Sequence, residues 1–127
     1  MLKTIQKYIL LWIGRRNIPK GIRVGDVCSV RSGDGKFGIV KILVYESTVV
    51  HIRIYKQKFD WRPPQVDTTM LSVGTIHDKD GYGIGHIPLS VGEFGLWEPV
   101  IIKNELVTEE ELEGYKYWYD NKGGVFQ

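Results

Sequence analysis

Gly33, Gly35 and Gly38 stand at the G-x-G-x-x-G spacing that cradles a nucleotide phosphate. That chemistry needs a strand entering the motif and a helix leaving it, so that helix N–H groups meet the anion. Here Val27-Cys28-Ser29-Val30 leads in, and Phe37 to Tyr45 leads out as a β-branched and aromatic run with no helical spacing. The pattern therefore predicts a tight hairpin whose glycines take positive φ, not a phosphate site. Asp78-Lys79-Asp80-Gly81 offers part of a calcium loop. With Gly81 on the loop's glycine, the first and twelfth ligand positions fall on Ile76 and Ile87, whose side chains carry no oxygen. A β-turn with Gly81 at positive φ is expected instead. His77 and His86 flank this turn and can meet across a hairpin, but two imidazoles without further ligands do not hold zinc. A packing or surface role is expected for both. Cys28 is the only cysteine, so an internal disulfide and a four-cysteine metal site are excluded. It reads as a small buried apolar side chain on a strand.

Carboxylates are plentiful after residue 62, but none forms a pair at a spacing that acid–base catalysis demands. P-loop, H-E-x-x-H and G-x-S-x-G signatures are absent from the sequence. The expectation is a non-catalytic protein with no catalytic residues, cofactor or metal to assign. The small net charge of +2 hides an uneven chain: residues 1–62 hold thirteen lysines and arginines against four acids, and residues 63–127 hold four against eleven. Either the halves interleave in one fold and neutralise each other, or the molecule presents a charged face that steers a partner. The basic residues are spread singly, which is unlike the patch a nucleic-acid footprint needs.

Elements must position these groups. A chain of 127 residues predicts a single domain. Its N-terminal part, residues 1–20, reads as an amphipathic helix and a basic connector. Leu2, Ile5, Ile9, Trp12 and Ile13 share one face, with Lys3, Gln6 and Lys7 opposite. The apolar run is too short to span a bilayer, and no small-x-small cleavage site follows it. Docking of that face on the domain's own core is expected, with binding to a membrane surface as the alternative. Residues 22–103 predict a sheet: strands over Arg23–Arg31, Phe37–Tyr45 and Val49–Lys56, a long loop over Lys56–Thr69, strands over Met70–Ile76 and Tyr82–Ile87, and a last strand over Trp97–Lys103, where Pro99 suggests an edge. In the third strand Val50, Ile52 and Ile54 take one side and His51, Arg53 and Tyr55 the polar other. Phe59 and Trp61 are expected to fold back over the end of the sheet. Residues 108–120 predict a C-terminal helix, opened by a capping box of Thr108 and Glu111 and turning Leu112, Tyr115 and either Trp118 or Tyr119 inward. The fold class is thus α+β: a strongly bent antiparallel sheet or small β-barrel with an N-terminal and a C-terminal helix.

Val24-Gly25-Asp26-Val27, followed by Gly33-Asp34-Gly35-Lys36-Phe37-Gly38 and Ile39 to Leu43, resembles the opening of the immunity-protein-26 family of bacterial polymorphic-toxin systems. The tail from Val107 to Trp118 also resembles endings among such proteins. The resemblance covers about a third of the chain. It implies a protein that binds and neutralises a cognate toxin domain; the lack of disulfide capacity fits a reducing compartment, and a cytoplasmic location is expected. Partner-binding candidates drawn from charge and loop position are Glu105, Glu109, Glu110 and Glu113 as an acidic face, with Trp61 and Arg62 as anchors. The alternative is a small β-barrel that binds nucleic acid through Lys36, Lys41, Arg53, Tyr55, Lys56 and Trp61.

Overall fold

The computed structural model describes residues 2–126, with side chains from residue 4 onward. The order is α1 (Leu2–Arg16), β1 (Asp26–Arg31), β2 (Phe37–Tyr45), β3 (Val49–Phe59), a 3-10 turn (Thr68–Met70), β4 (Ile84–Ser90), α2 (Val91–Leu96), β5 (Val100–Asn104) and α3 (Glu113–Asp120). The five strands form one antiparallel sheet in the order β4-β3-β2-β1-β5. The sheet is bent, with register shifts along the β1–β5, β2–β3 and β3–β4 ladders. It does not close, so the α+β expectation holds in its open-sheet form and not as a barrel.

The glycine-rich turn is a hairpin. The Ser32 N–H donates to the Lys36 carbonyl at 2.9 Å, and Val30 pairs with Gly38 across the ladder. Of its three glycines, only Gly35 takes a positive φ, at 81°. Gly81 likewise has a φ of 98° in its turn. Two layers of side chains flank the sheet. On one side Cys28, Val30, Val40, Ile42, Val50 and Ile52 pack with Leu89 and with Phe94 of α2. On the other, Val27, Ile39 and Tyr55 pack with Phe59, Val66, Leu71 and Ile102. Burying each large apolar side chain here contributes roughly 1.5–3 kcal/mol. Cys28 lies fully buried in the first layer, and that burial, aided by the nearby Asp26 charge, pushes its thiol up to about 12.

Several boundaries differ from the sequence expectation. β1 starts at Asp26 because residues 23–25 form a turn: the Arg23 N–H donates to the Asp26 carboxylate at 2.8 Å, and Gly25 has a φ of 91°. β3 runs on to Phe59, shortening the following loop. Met70–Ile76 is not a strand. Asp67 caps the 3-10 turn by accepting from the Thr69 N–H, and Gly74, with a φ of 72°, breaks any extended run. The segment keeps only partial strand character, in bonds from the Lys56 N–H to the Ser72 carbonyl and from the Gly83 N–H to the Val73 carbonyl. The fourth strand begins at Ile84, not Tyr82, and runs to Ser90. The Trp97–Lys103 strand is replaced by α2 ahead of a shorter β5, which occupies a sheet edge directly after Pro99. Ser90 caps α2 by accepting from the Glu93 N–H at 3.1 Å. The S-x-x-E spacing of Ser90 and Glu93 signals this start, but Gly92 and Gly95 weaken the helical pattern around it. The Thr108–Glu111 capping box also forms, yet the residues it caps make turns and regular helix begins only at Glu113.

The N-terminal helix docks by the edge opposite to the expected one. Gly14 is buried against α2, whereas Ile5, Ile9, Trp12 and Ile13 are exposed. Glycine makes this contact: a Cβ on Gly14 would strike the Gly92 carbonyl, and one on Gly95 would strike the Gly14 carbonyl. Among the described residues, no helix is long and apolar enough to cross a membrane.

Candidate functional site

Lys41 organises the surface that carries the predicted acids. It lies on β2, paired with Val27 and Arg53, and only 3% of it is exposed. An unpaired ammonium at such a place would be strongly unfavourable. Its Nζ donates to the Leu106 carbonyl at 2.7 Å and to Glu111 Oε1 at 3.0 Å. Glu111 is turned inward by the capping box: Oε1 accepts from the Thr108 N–H at 2.9 Å, while the Glu111 N–H donates to Thr108 Oγ1 at 3.2 Å. Burial alone would raise the Glu111 carboxyl, but the Thr108 N–H and the Lys41 ammonium hold it below its ordinary value. One buried cation thus fastens residues 106–111 to the middle of the sheet.

The other acids are presented around this anchor. Glu105 accepts from the Thr68 hydroxyl, at 2.7 and 2.8 Å to its two oxygens, and pairs with Lys103 at 2.9 Å. Burial opposes its ionisation, and these partners bring its carboxyl below the ordinary value. Glu109 is exposed and held low by its hydrogen bond with Lys116. Glu110 and Glu113 are exposed and, among the described residues, have no ion-pair partner.

Trp61 and Arg62 do not join this group. Arg62 Nη1 donates to the Ser29 carbonyl and to Ser29 Oγ, both at 2.9 Å, and its guanidinium lies 4.9 Å from the Phe37 ring centre. Glu105 instead donates its N–H to the Gly25 carbonyl, ahead of β1. Four residues of extended chain separate Ser29 from Gly25, roughly 14 Å along the strand. Arg62 is therefore a clamp on β1 and not a free anchor. Trp61 beside it is 71% exposed, while Phe59 packs inward as expected.

The basic sheet face of the nucleic-acid alternative is largely covered. Lys41 and Tyr55 are buried, and burial, with the nearby Glu111, pushes the Tyr55 hydroxyl up to about 12. Lys56 pairs with Asp78 and Asp80 at 3.0 Å each, and Arg53 is half-buried. Lys36 and Trp61 remain exposed.

Two further features lay outside the sequence reading. His86 meets His51 of β3 rather than His77, with His51 Nδ1 at 2.9 Å from His86 Nε2. Tyr115 and Trp118 of α3 approach the fully buried His51 ring edge-on, with centres 4.7 and 4.5 Å away. Among the described residues, His51 Nε2 has no hydrogen-bond partner. Burial lowers both imidazoles, that of His86 to about 4 with the help of His51, so both are neutral near pH 7. Alternation in β3 places His51 on a polar face, and the spacing of Tyr115 and Trp118 marks an inward face of α3; no local signal records that the two meet. The second feature is a groove of about 520 Å³ beside the glycine hairpin, lined by Val30, Ile54, Leu96 and Trp97, with Arg31 and Lys58 also contributing. Among the described residues, no cluster of three or more histidine, cysteine or acidic side chains is placed to hold a metal ion. Comparison with family models, curated proteins and solved structures gave no match to this chain.

Proposed function

We propose that this chain is a non-catalytic, immunity-type protein that binds the cationic surface of a bacterial toxin domain and so keeps the toxin from its substrate. The observation that carries the reading is the Lys41 anchor. A buried lysine holds Leu106 and Glu111 against the sheet, and Glu110 and Glu113 face solvent on either side of that inward glutamate. Acids fixed on a rigid support lose little conformational freedom on binding and steer an oppositely charged partner. The resemblance of the Val24–Leu43 and Val107–Trp118 segments to immunity-protein-26 sequences supports the same reading, and the burial of Lys41 and Tyr55 disfavours nucleic-acid binding by the sheet face. Glu105, Glu109, Glu110 and Glu113 are the partner-binding residues in this proposal, with Trp61 as a separate contact and Arg62 as its support.

The test is co-purification with a candidate nuclease-type toxin domain, chosen as one encoded next to this chain, with the mass of the mixture read by light scattering. A stoichiometric complex that silences the toxin is expected. The double variant Glu110→Lys/Glu113→Lys should fold normally and associate about tenfold more slowly or worse, with the largest difference at low salt. A complex that forms equally well with the variant removes the acidic face. Salt-sensitive binding of single-stranded nucleic acid, with no toxin complex, would replace the proposal by its alternative.

A further inference from the structure

α1 turns its apolar face away from the protein. It packs on α2 through the Gly14 edge, where Gly92 and Gly95 bring the two backbones together. That seam engages the last turns of the helix. Tyr8, Ile9, Leu10, Trp12 and Ile13, with Ile5 ahead of them, are between 41% and 68% exposed. A fifteen-residue helix is marginal in water without something to lie on. Among the described residues, α2 is the element against which it makes its main contact.

The charge of this end of the chain, with Arg16 on the exposed face itself, says what would cover it. Residues 1–25 contain Lys3, Lys7, Arg15, Arg16, Lys20 and Arg23 and no acid at all, although the remainder of the chain is acidic on balance. Arg16 lies over the Trp12 ring, 4.9 Å from its centre, and Tyr8 is exposed close by. Aromatic rings and long cationic side chains with apolar stems are the residues that settle at the boundary between water and lipid headgroups. A partner here must be apolar and negatively charged together. A nucleic acid supplies only the charge, and an apolar protein groove only the burial; an anionic bilayer surface supplies both. We propose that the outward face of α1 is a membrane-surface anchor that lies in the headgroup layer of an anionic bilayer. At 1.5 Å per residue the helix is roughly 22 Å long, shorter than the hydrocarbon core, so it lies on the bilayer and does not cross it. The Gly14 seam then fixes how the sheet is held above that surface. This inference uses no residue of the acidic segment and is independent of the partner proposed for it.

Flotation of the full chain with vesicles tests it. Phosphatidylcholine vesicles containing about a third phosphatidylserine should carry the protein, plain phosphatidylcholine vesicles should not, and binding should fall as salt rises. Ile9→Glu and Trp12→Glu change exposed residues, so circular dichroism and the thermal melt should be unaltered while vesicle binding falls about tenfold or more. Arg15→Glu/Arg16→Glu should weaken binding to anionic vesicles in the same way. Absence of binding to anionic vesicles overturns the proposal, as does binding that survives both apolar variants. If the wild-type chain instead forms a concentration-dependent dimer that Trp12→Glu abolishes, without binding vesicles, the face belongs to a second copy and the proposal fails.

Discussion

Lys41 occupies a β2 position where an apolar side chain would ordinarily sit, and its charge is balanced from a segment sixty-five and more residues away. Removing one partner of a buried ion pair leaves the other charge poorly solvated. Lys41→Met should therefore destabilise the fold by about 3 kcal/mol in urea unfolding, the low end for such a loss because Glu111 keeps some exposure and its Thr108 bonds. Lys41→Met/Glu111→Gln should recover most of it, since the stranded carboxylate is gone. The sequence offered the capping box of Thr108 and Glu111 but not the use of Glu111 as a counter-ion. Alternation along a strand marks two faces; it does not say whether the polar one meets water or a covering segment. The covering of Lys41, His51 and Tyr55 is hidden from strand alternation for the same reason: residues 106–111 lie over Lys41, α3 over His51, and Val66 and Leu71 over Tyr55. Glu110 and Glu113, whose exposure depends on nothing more distant than the helix start, were legible.

α3 is eight residues long and has no buried residue of its own, so its place is set by Tyr115 and Trp118 against His51 and His86. A Cβ on Gly114 would strike the His86 side chain, the charge of Glu46 in the β2–β3 turn reaches Tyr115, and Tyr119 stacks on Tyr115. This cluster predicts an acid-sensitive dock. The folded imidazoles lie below their ordinary pKa of 6.5, so between that value and about 4 the unfolded chain binds protons that the folded chain refuses. Stability should be fully present above pH 7 and fall as the pH drops through this window. Urea midpoints measured from pH 7.5 to 4.5 should show the decline, hydrogen exchange in residues 113–120 should quicken first, and His86→Gln should flatten the slope. A slope unchanged by that variant would place the sensitivity elsewhere. At the other end of the molecule, the α1–α2 seam tolerates no methyl group. Gly95→Ala favours the helix by propensity but drives a Cβ into the Gly14 carbonyl, so a net loss of about 1–3 kcal/mol is expected. Faster tryptic cleavage after Arg15 and Arg16 should accompany it, whereas Gly124→Ala, which meets nothing nearby, should stay within about 0.5 kcal/mol.

For the molecule as a whole, the charge imbalance is partly absorbed by pairing between halves, as in Arg31 with Glu98, Lys41 with Glu111 and Lys56 with Asp78 and Asp80. What remains unbalanced is concentrated at the two ends of the chain, basic on α1 and acidic before α3. The meander of β1, β2 and β3 could be read from local signals: the hairpin glycines, the Glu46–Thr48 turn and the period of two in β3. β5 could be placed on an edge from Pro99, but its neighbour β1 could not, because nothing local records a pairing between Cys28 and Ile101. That distant pairing bears on how the chain assembles. Joining strands so far apart in sequence costs more loop-closure entropy than forming the meander, so the β1–β5 ladder is expected to form after it. During synthesis the outer edge of β1 stays bare until residue 104 has left the ribosome, while the apolar helix ahead of it is already out. The newborn chain thus passes through a stage with an open β-edge beside an uncovered greasy helix, the state in which it is most exposed to aggregation and most in need of a chaperone.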